Sequence, residues 1–259
     1  MNKKVALITG GTKGIGRGIA EKLLAENIHV VITSRSLEDA QSFASELESI
    51  YGVDVIGLKF DIEDPSSISA LIKDTVSHFG QLNYLVNNAL SKNCFGPLDS
   101  FSNLQIQAAI SANLTNTLLL TNAVYPQLKK TNGAVVSISS AIANRYIQGL
   151  PLYGVIKGAI NQMTKVLADE WAKDNIRVNA ITPGFIWTDA FADQGMPDEL
   201  IKANYDMYQQ YCPINRIGKP EDVGQMVAFL VSESASYITG SIFDVDGGYS
   251  GQGVMLYQE

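Results

Sequence analysis

The chain is poor in the residues that build disulfide frameworks and zinc sites. Two cysteines, Cys94 and Cys212, and two histidines, His29 and His78, occur in 259 residues. The cysteines are too few and too far apart for a disulfide framework, and no zinc site can be assembled from so few histidines. We therefore expect no metal, and the cysteine content fits a reducing cytoplasm.

Positive charge and long apolar runs are also scarce. Lysine and arginine number 19 against 26 aspartates and glutamates, so the net charge is -7. Nucleic acids and anionic membranes bind a basic face, so neither is an expected partner. The first apolar run, Val5 to Thr9, is too short for a signal-peptide core or a membrane span. We expect a cytoplasmic enzyme that acts on a small molecule.

Short β-branched runs alternate with amphipathic segments along the chain. The runs predict strands at 5–9, 29–33, 53–60, 82–87, 134–139, 176–181 and 241–246. The segments between them predict helices at about 14–26, 36–50, 65–79, 101–130, 151–173 and 219–232. Near-continuous apolar strands separated by helices predict a seven-stranded parallel sheet with helices on both faces. The expected fold is a single-domain α/β doubly wound (Rossmann) fold over 1–259, with ligands at the carboxyl ends of the strands.

A glycine-rich turn follows the first predicted strand and opens the first helix. Its sequence is Thr9-Gly-Gly-Thr-Lys-Gly-Ile-Gly16. Glycines let the backbone turn tightly and approach a pyrophosphate, whose charge then lies at the helix N-terminus. A plain strand-to-helix turn is the alternative, which the strand before and the helix after disfavour. The Thr-Gly-x-x-x-Gly-x-Gly spacing resembles that of the short-chain dehydrogenase/reductase family. The cofactor-binding residues predicted here are Gly10, Thr12, Lys13, Gly14, Ile15 and Gly16.

The end of the second predicted strand lacks the carboxylate that would bind the adenosine ribose of NAD. The sequence there is Thr33-Ser34-Arg35-Ser36. Arg35 offers a planar fork to a 2′-phosphate, Ser34 and Ser36 offer hydroxyls, and Lys13 supplies a second cation. Two charge-assisted hydrogen bonds of about 1.5 to 3 kcal/mol each would favour NADPH over NADH by roughly a hundredfold or more. NADP(H) is the predicted cofactor, and two solvated surface cations are the alternative.

Tyr153 and Lys157 stand four residues apart in a segment predicted to be helical. Residues four apart share a helix face, so both side chains project towards one region. Alone the pair is a weak signal, because such a tyrosine is usually a core aromatic and such a lysine a solvated end. Ser140 at the end of the fifth strand and Asn113 on the preceding helix strengthen it. In this order and on these elements, the four resemble the family's Asn, Ser, Tyr and Lys tetrad.

These four residue types suit carbonyl reduction. A ketone that accepts hydride needs a proton, and the Tyr153 phenol, with an ordinary pKa of about 10, can supply it as general acid. We expect the Lys157 ammonium to lower the pKa of Tyr153, and the resemblance implies that it also holds the nicotinamide ribose. Ser140 would stabilise charge on the carbonyl oxygen, and strand alternation turns Ser139 to the other face. The resemblance gives Asn113 a water that relays protons to Lys157.

The resemblance implies further cofactor contacts. Asp61 resembles the family's adenine-contacting aspartate, although it could equally cap a helix before Pro65. The segment TPGFIWTD at 182–189 resembles the family's Pro-Gly-x-x-x-Thr, in which the Ile186 backbone and the Thr188 hydroxyl would grip the carboxamide. The cofactor-binding residues predicted in these parts of the chain are Asp61, Ile62, Asn88, Tyr153, Lys157, Pro183, Gly184, Ile186 and Thr188.

One position departs from the family's pattern. The family's Asn-Asn-Ala-Gly after the fourth strand reads Asn87-Asn88-Ala89-Leu90. A branched side chain stands where glycine normally gives the cofactor room, so we expect the loop at 90–96 to shift outward. Some enoyl-thioester reductases of the family also depart from that glycine.

The insertion after Thr188, about 189–217, is predicted to be a substrate lid. Its cations are Lys202 and Arg216, so it suits a mostly apolar ketone better than a small anionic acid. Docking of the lid onto the sheet is the alternative role for some of its apolar side chains. Thr131 and Asp174 stand where carrier-protein-linked members usually carry arginine, which argues against an acidic carrier protein. The apolar and aromatic lid residues are Phe191, Met196, Tyr205, Met207, Tyr208 and Tyr211.

The predicted function is NADPH-dependent hydride transfer to a ketone, 3-oxoacyl-like or a natural product, to give a secondary alcohol. Enoyl-thioester reduction is the alternative, because Tyr153 and Ser140 would serve it almost equally well and Leu90 favours it. A catalytically silent binding subunit is the alternative of another class, which the intact tetrad disfavours. The helices at 101–130 and 151–173 resemble the family's interface helices, so a homotetramer is expected.

Overall fold

Parallel strands form one seven-stranded sheet in the computed structural model, which describes residues 3–188 and 195–251. The order across the sheet is β3-β2-β1-β4-β5-β6-β7. Because the winding reverses between β1 and β4, a crevice opens there at the carboxyl ends of the strands. The predicted doubly wound α/β fold is confirmed. The strands are β1 Val5–Ile8, β2 His29–Ser34, β3 Val55–Lys59, β4 Tyr84–Asn87, β5 Ala134–Ile138, β6 Arg177–Pro183 and β7 Ile242–Val245.

Helices cover both faces of the sheet. Along β1, Ala6 and Ile8 pack with apolar residues of α1, α2 and α8, whereas Val5 and Leu7 pack with those of α3, α5 and α6. Successive strand residues face opposite sides, so a sheet buried on both faces needs continuous apolar runs. The α-helices are α1 Gly14–Ala25, α2 Leu37–Tyr51, α3 Ile68–Phe79, α4 Asn103–Ile110, α5 Asn116–Thr131, α6 Pro151–Trp171, α7 Asp198–Gln209 and α8 Pro220–Val231.

The helix predicted at 101–130 is not continuous. A π-helical turn, Ser111–Thr115, separates α4 from α5, and the Asn116 amide there donates to the carbonyl of Ser111. A π turn carries an extra residue and often occurs at functional sites. One extra residue hardly changes the apolar periodicity of a thirty-residue segment. The sequence pattern therefore predicted one continuous helix. The turn contains Asn113.

The predicted lid at about 189–217 lies partly outside the described residues, which omit 189–194 and therefore Phe191. Its described part contains α7, a helix that the sequence analysis did not predict. No helix in the described ranges is long and apolar enough to cross a membrane.

Candidate active site

A groove of about 760 Å³ lies at the carboxyl ends of the strands, beside the switch point. Residues from the loops after β1, β2, β3 and β4 line it, as the fold requires of a dinucleotide site. The predicted cofactor residues that line it are Gly10, Thr12, Lys13, Gly14, Ile15, Gly16, Ser34, Arg35, Ser36, Asp61, Ile62, Asn88 and Thr188. The groove is also lined by Asp39, Phe60 and Lys92, which belong to none of the sequence motifs.

The glycine loop is shaped so that no larger residue fits its centre. A Cβ on Gly16 would lie 2.1 Å from the carbonyl oxygen of Gly10, well inside van der Waals contact. Gly10 and Gly14 have φ angles of 64° and 50°, in the left-handed region that glycine tolerates. The first amides of α1 lack intrahelical partners, and the helix dipole favours an anion there. This cradle fits a cofactor diphosphate.

Asn88 holds the glycine loop by hydrogen bonds to its backbone. Its side-chain amide donates to the carbonyls of Thr9 and Gly10, both at 2.9 Å. The backbone amides of Asn88 and Ala89 donate to the Thr9 hydroxyl at 3.0 Å. Asn88 therefore lines the groove and also fixes the loop that would hold the diphosphate.

The end of the groove after β2 carries charges of both signs. Ser36 caps α2 by accepting a hydrogen bond from the Asp39 amide at 3.1 Å, and the Ser36 amide donates to the Ser34 hydroxyl. Arg35 lines the groove here, and so does the carboxylate residue Asp39. The predicted hydroxyls thus shape the start of α2 as well as facing the groove. Asp39 opposes an anionic ligand, an effect that the sequence analysis did not include.

Tyr153, Lys157 and Ser140 are brought together at the start of α6. Pro151 occupies the first position of this helix, where its missing amide breaks no hydrogen bond. The Lys157 ammonium lies 5.7 Å from the centre of the Tyr153 ring and donates to the Ile138 carbonyl at 2.7 Å. Ser140 follows β5 and hydrogen-bonds Tyr153.

Burial sets the protonation of this cluster. It raises the pKa of Tyr153 to about 12, and the hydrogen bond with Ser140 opposes the increase only in part. It lowers the pKa of Lys157 to about 8. The expectation of a lowered pKa for Tyr153 was wrong, because the cost of burying a phenolate dominates. At neutral pH the cluster therefore holds a phenol and an ammonium.

The two neighbouring serines point in different directions. The Ser139 hydroxyl is buried and donates to the Lys157 carbonyl at 3.1 Å, so it supports α6 from inside the protein. The Ser140 hydroxyl accepts from the Ile142 amide at 3.4 Å and contacts Tyr153. The structure thus places Ser140, and not Ser139, beside the phenol.

Asn113 is buried in the π turn and holds the loop after β4. Its side-chain oxygen accepts from the Ser91 amide at 2.8 Å, and its amide donates to the Ser91 carbonyl at 3.1 Å. A cavity of about 10 Å³, roughly the space of one water, is lined by both Asn113 and Lys157. The π turn and Lys157 therefore border the same small cavity.

Two apolar side chains of the loop after β4, Leu90 and Phe95, lie at the site. Leu90 packs against a small cluster of Cys94, Ala109, Leu152 and Ile156. This cluster takes up the extra bulk of Leu90, which also lines the cofactor groove. The outward shift of the loop at 90–96 stays a prediction.

Phe95 was not predicted as a site residue, yet it lies edge-on to the Tyr153 ring with the centroids 5.0 Å apart. Its side chain is 40% exposed. Phe95 therefore places a partly exposed aromatic ring beside the phenol of Tyr153. Its only sequence signal is its place five residues after the departure at Leu90.

The segment after β6 lies across the groove from the glycine loop. Thr188 lines the groove, and its methyl carbon lies 3.2 Å from the position that a Cβ on Gly14 would occupy. Pro183 ends β6, and Gly184 packs so closely on Asp246 that a Cβ would lie 2.7 Å from its Cα. The predicted residues that do not line the groove are Tyr153, Lys157, Pro183, Gly184 and Ile186.

Comparison with known proteins places the chain among reductases. A family model described as enoyl-(acyl carrier protein) reductase matches residues 10–250. The chain is 38% identical over 247 residues to the 3-oxoacyl-[acyl-carrier-protein] reductase FabG of Aquifex aeolicus, which covers 95% of this chain and 96% of that protein. It is 35% identical over 252 residues to a tropinone reductase homolog of Arabidopsis thaliana, covering 96% and 93% of the two chains.

Solved structures give the same picture. L-sorbose reductase from Gluconobacter frateurii, complexed with NADPH and L-sorbose, has a TM-score of 0.89 at 31% identity and covers 96% of this chain and 97% of its own. The 3-ketoacyl-(acyl-carrier-protein) reductase from Brucella melitensis, complexed with NADH, has a TM-score of 0.84 at 30% identity, covering 95% and 98%. The match in sequence, fold and coverage extends over nearly the whole chain.

Proposed function

Since the chain belongs to the short-chain dehydrogenase/reductase family, and is on that evidence a nicotinamide-dependent carbonyl reductase, we propose that it uses NADPH to reduce a mostly apolar ketone to a secondary alcohol. The observation that carries the proposal is the Tyr153 phenol, held beside Ser140 and Lys157 at the start of α6. When bound, the cofactor supplies the hydride that adds to the carbonyl carbon.

Tyr153 and Ser140 would act on the substrate oxygen. The phenol is protonated at neutral pH, because burial raises its pKa to about 12. It can therefore donate its proton to the carbonyl oxygen as that oxygen gains negative charge. The Ser140 hydroxyl would stabilise the same charge by a second hydrogen bond. These two hydrogen bonds would orient the carbonyl, and transfer of the Tyr153 proton to its oxygen would give the alcohol.

Lys157 would hold the cofactor ribose and return a proton to Tyr153. Its pKa of about 8 keeps it an ammonium at neutral pH while making its proton easy to release. The cavity that Asn113 and Lys157 share has room for about one water. That space supports a proton path from the π turn to the ammonium.

The experiment that tests the activity compares the native protein with Tyr153→Phe. NADPH oxidation is followed by absorbance with a panel of activated ketones. We expect turnover in the native protein and a loss of about a hundredfold or more in the variant, since it removes the general acid. Turnover of equal size in both proteins would refute the role of Tyr153. No turnover with any ketone, together with tight NADPH binding, would favour the silent binding subunit.

NADPH preference rests on the cations that line the groove, Lys13, Arg35 and Lys92. Two charge-assisted hydrogen bonds to a 2′-phosphate would favour NADPH by roughly a hundredfold, and Asp39 would reduce that preference. The dissociation constants of NADPH and NADH should be measured at fixed salt in the native protein and in Arg35→Asp.

We expect the native protein to prefer NADPH and Arg35→Asp to reverse the order. Lys73→Asp changes the net charge equally, on the exposed face of α3, and should leave the order unchanged. Equal affinities of the native protein for the two cofactors would show that the groove cations do not select a phosphate.

The apolar substrate is now supported by Phe95 more than by the lid. Tyr205 is 4% exposed and Tyr208 stacks on Phe185 at 4.3 Å, so these two dock the lid helix instead of facing the substrate. Met207 and Tyr211 are 43% and 49% exposed. Fewer aromatic side chains of the lid can therefore face the substrate than the sequence suggested.

A carrier protein is disfavoured by the surroundings of Thr131 and Asp174. The Asp174 carboxylate is engaged by Lys129 at 2.8 Å and by the Tyr125 hydroxyl. The Thr131 hydroxyl donates to the Leu82 carbonyl at 3.0 Å. Neither side chain can replace a free arginine towards an acidic carrier.

Enoyl-thioester reduction is the second candidate function, favoured by Leu90 and by the description of the matching family model. The enzyme should be given NADPH with acetoacetyl and crotonyl thioesters, each on a small thiol and on a carrier protein. We expect the 3-hydroxyacyl product from the small thiol. A saturated acyl product would instead establish the enoyl reductase, and strong preference for the carrier-linked form would refute the argument from Asp174.

A cytoplasmic location is proposed, as expected from the sequence.

A homotetramer is proposed as the assembly. The tetramer is supported by exposed apolar side chains on the helices expected to pair, including Leu118 and Leu119 on α5 and Val155 and Val166 on α6. Val155 is 69% exposed in the single chain. Sedimentation at micromolar concentration should show a tetramer, and a monomer would contradict the proposal.

A further inference from the structure

The hydroxyl of Tyr205 on α7 lies among backbone atoms of the segment 186–188. It accepts a hydrogen bond from the Thr188 amide at 3.0 Å. It also lies 3.2 Å from the Thr188 carbonyl and 3.3 Å from the Ile186 carbonyl, and its single proton can be donated to either. Tyr205 is 4% exposed, so these hydrogen bonds are largely shielded from water.

The helix α7 also contacts this segment through stacked aromatic rings. The Tyr205 ring stacks on Trp187 with the centroids 4.1 Å apart, and Tyr208, one turn later, stacks on Phe185 at 4.3 Å. Residues three apart share a helix face, so α7 lies along the segment with two stacked ring pairs. The rings therefore dock the helix on the segment, and the Tyr205 hydroxyl contacts the peptide groups of Ile186 and Thr188.

The far side of the segment is fixed by other bonds. The Trp187 amide donates to the Gly218 carbonyl at 2.8 Å, and the Gly218 amide donates to the Phe185 carbonyl at 2.9 Å. These bonds hold the residues on either side of Ile186, but they do not reach the peptide group of Thr188. That group is oriented by Tyr205, and Thr188 lines the cofactor groove.

We propose that Tyr205 is a positioning residue that orients 186–188 to hold the nicotinamide carboxamide. The inference rests on the proposed function, in which the Ile186 backbone and the Thr188 hydroxyl bind that carboxamide. Tyr205 is not among the residues that line the groove, so it would act through the peptide groups it contacts. A helix of the predicted substrate lid would therefore set the placement of the nicotinamide ring.

The test removes the hydroxyl and keeps the ring, in Tyr205→Phe. Dissociation constants are measured for NADPH and for 2′-phospho-ADP-ribose, which carries the adenosine half of the cofactor without nicotinamide. We expect NADPH to bind about tenfold more weakly than in the native protein, the effect of about one lost hydrogen bond. The affinity for 2′-phospho-ADP-ribose should not change, because its contacts lie at the other end of the groove.

A matched control and a rescue separate positioning from stability. Tyr237→Phe removes a hydroxyl from a fully exposed tyrosine and should bind both ligands as the native protein does. Para-aminophenylalanine at position 205 restores a donor to the Ile186 and Thr188 carbonyls but accepts poorly from the Thr188 amide, so it should recover part of the NADPH affinity. Thermal unfolding is recorded for each variant.

Three outcomes would overturn the inference. The first is a Tyr205→Phe variant that unfolds at a lower temperature but binds both ligands as the native protein does, since Tyr205 would then be structural only. The second is equal weakening of both ligands, which would mean that the effect does not act through the nicotinamide. A native protein that binds neither ligand would overturn the proposed function and this inference with it.

Discussion

Replacing Lys157 by methionine should stabilise the folded protein at neutral pH while abolishing its activity. Lys157 is 7% exposed, and burial lowers the pKa of its ammonium from 10.5 to about 8. Each unit of pKa difference corresponds to about 1.36 kcal/mol, so folding with this buried charge costs about 3 kcal/mol below pH 8. Methionine keeps an unbranched stem and removes the charge.

The sign of the pH dependence follows from which state binds more protons. Between about pH 8 and pH 10.5 the unfolded chain keeps the Lys157 proton and the folded protein has lost it, so the native protein gains stability as pH rises. Methionine also leaves the Ile138 carbonyl without its 2.7 Å partner, a loss of about 1 to 3 kcal/mol that does not depend on pH. The pH-dependent part therefore isolates the buried ammonium.

The assay is urea unfolding followed by circular dichroism, at equal protein concentration and at about pH 7 and about pH 9.5. The stability of Lys157→Met relative to the native protein should fall by about 2 kcal/mol between these two conditions. Lys165→Met on the same helix removes an exposed ammonium and should follow the native protein at both. An unchanged difference between Lys157→Met and the native protein would refute the buried-charge argument.

Two further predictions concern the rate and the glycine loop. The kcat/KM for ketone reduction should be constant below about pH 8 and fall above it, because burial lowers the pKa of Lys157 to about 8 and the ammonium form is the one required; a rate that rises through this range would contradict the assignment. Gly16→Ala should weaken NADPH binding by more than about tenfold, because its Cβ would lie 2.1 Å from the Gly10 carbonyl oxygen. Gly158→Ala in α6 meets no atom within 4 Å and should bind NADPH normally, and equal affinity of the two variants would refute the steric argument.

The sequence predicted those features that depend on local pattern. Strands buried on both faces need continuous apolar runs, and the glycine loop needs residues that tolerate left-handed backbone, as Gly10 and Gly14 do. The proximity of Tyr153 to Lys157 follows from helix geometry alone. Strand alternation likewise separated Ser140 from Ser139.

Other features depend on tertiary packing, and the pattern does not contain them. The pKa of Tyr153 is raised mainly by burial, which the spacing of Tyr153 and Lys157 in the sequence does not show. Tyr205 and Tyr208 were grouped with lid residues facing the substrate, because composition does not reveal that Phe185 and Trp187 would stack on them. Asn88 was predicted as a cofactor contact, and its hydrogen bonds to the glycine loop became visible only in three dimensions.

The π turn at Ser111–Thr115 makes the placement of Asn113 sensitive to the number of residues between α4 and α5. A helix advances by about 100° per residue, so deleting a single residue within the turn would let α4 and α5 fuse into one regular helix while rotating one part against the other by about that angle. Asn113 could no longer face both Ser91 and the cavity beside Lys157. A single-residue deletion here would therefore cost little helical structure and yet move Asn113 away from the cavity that it shares with Lys157.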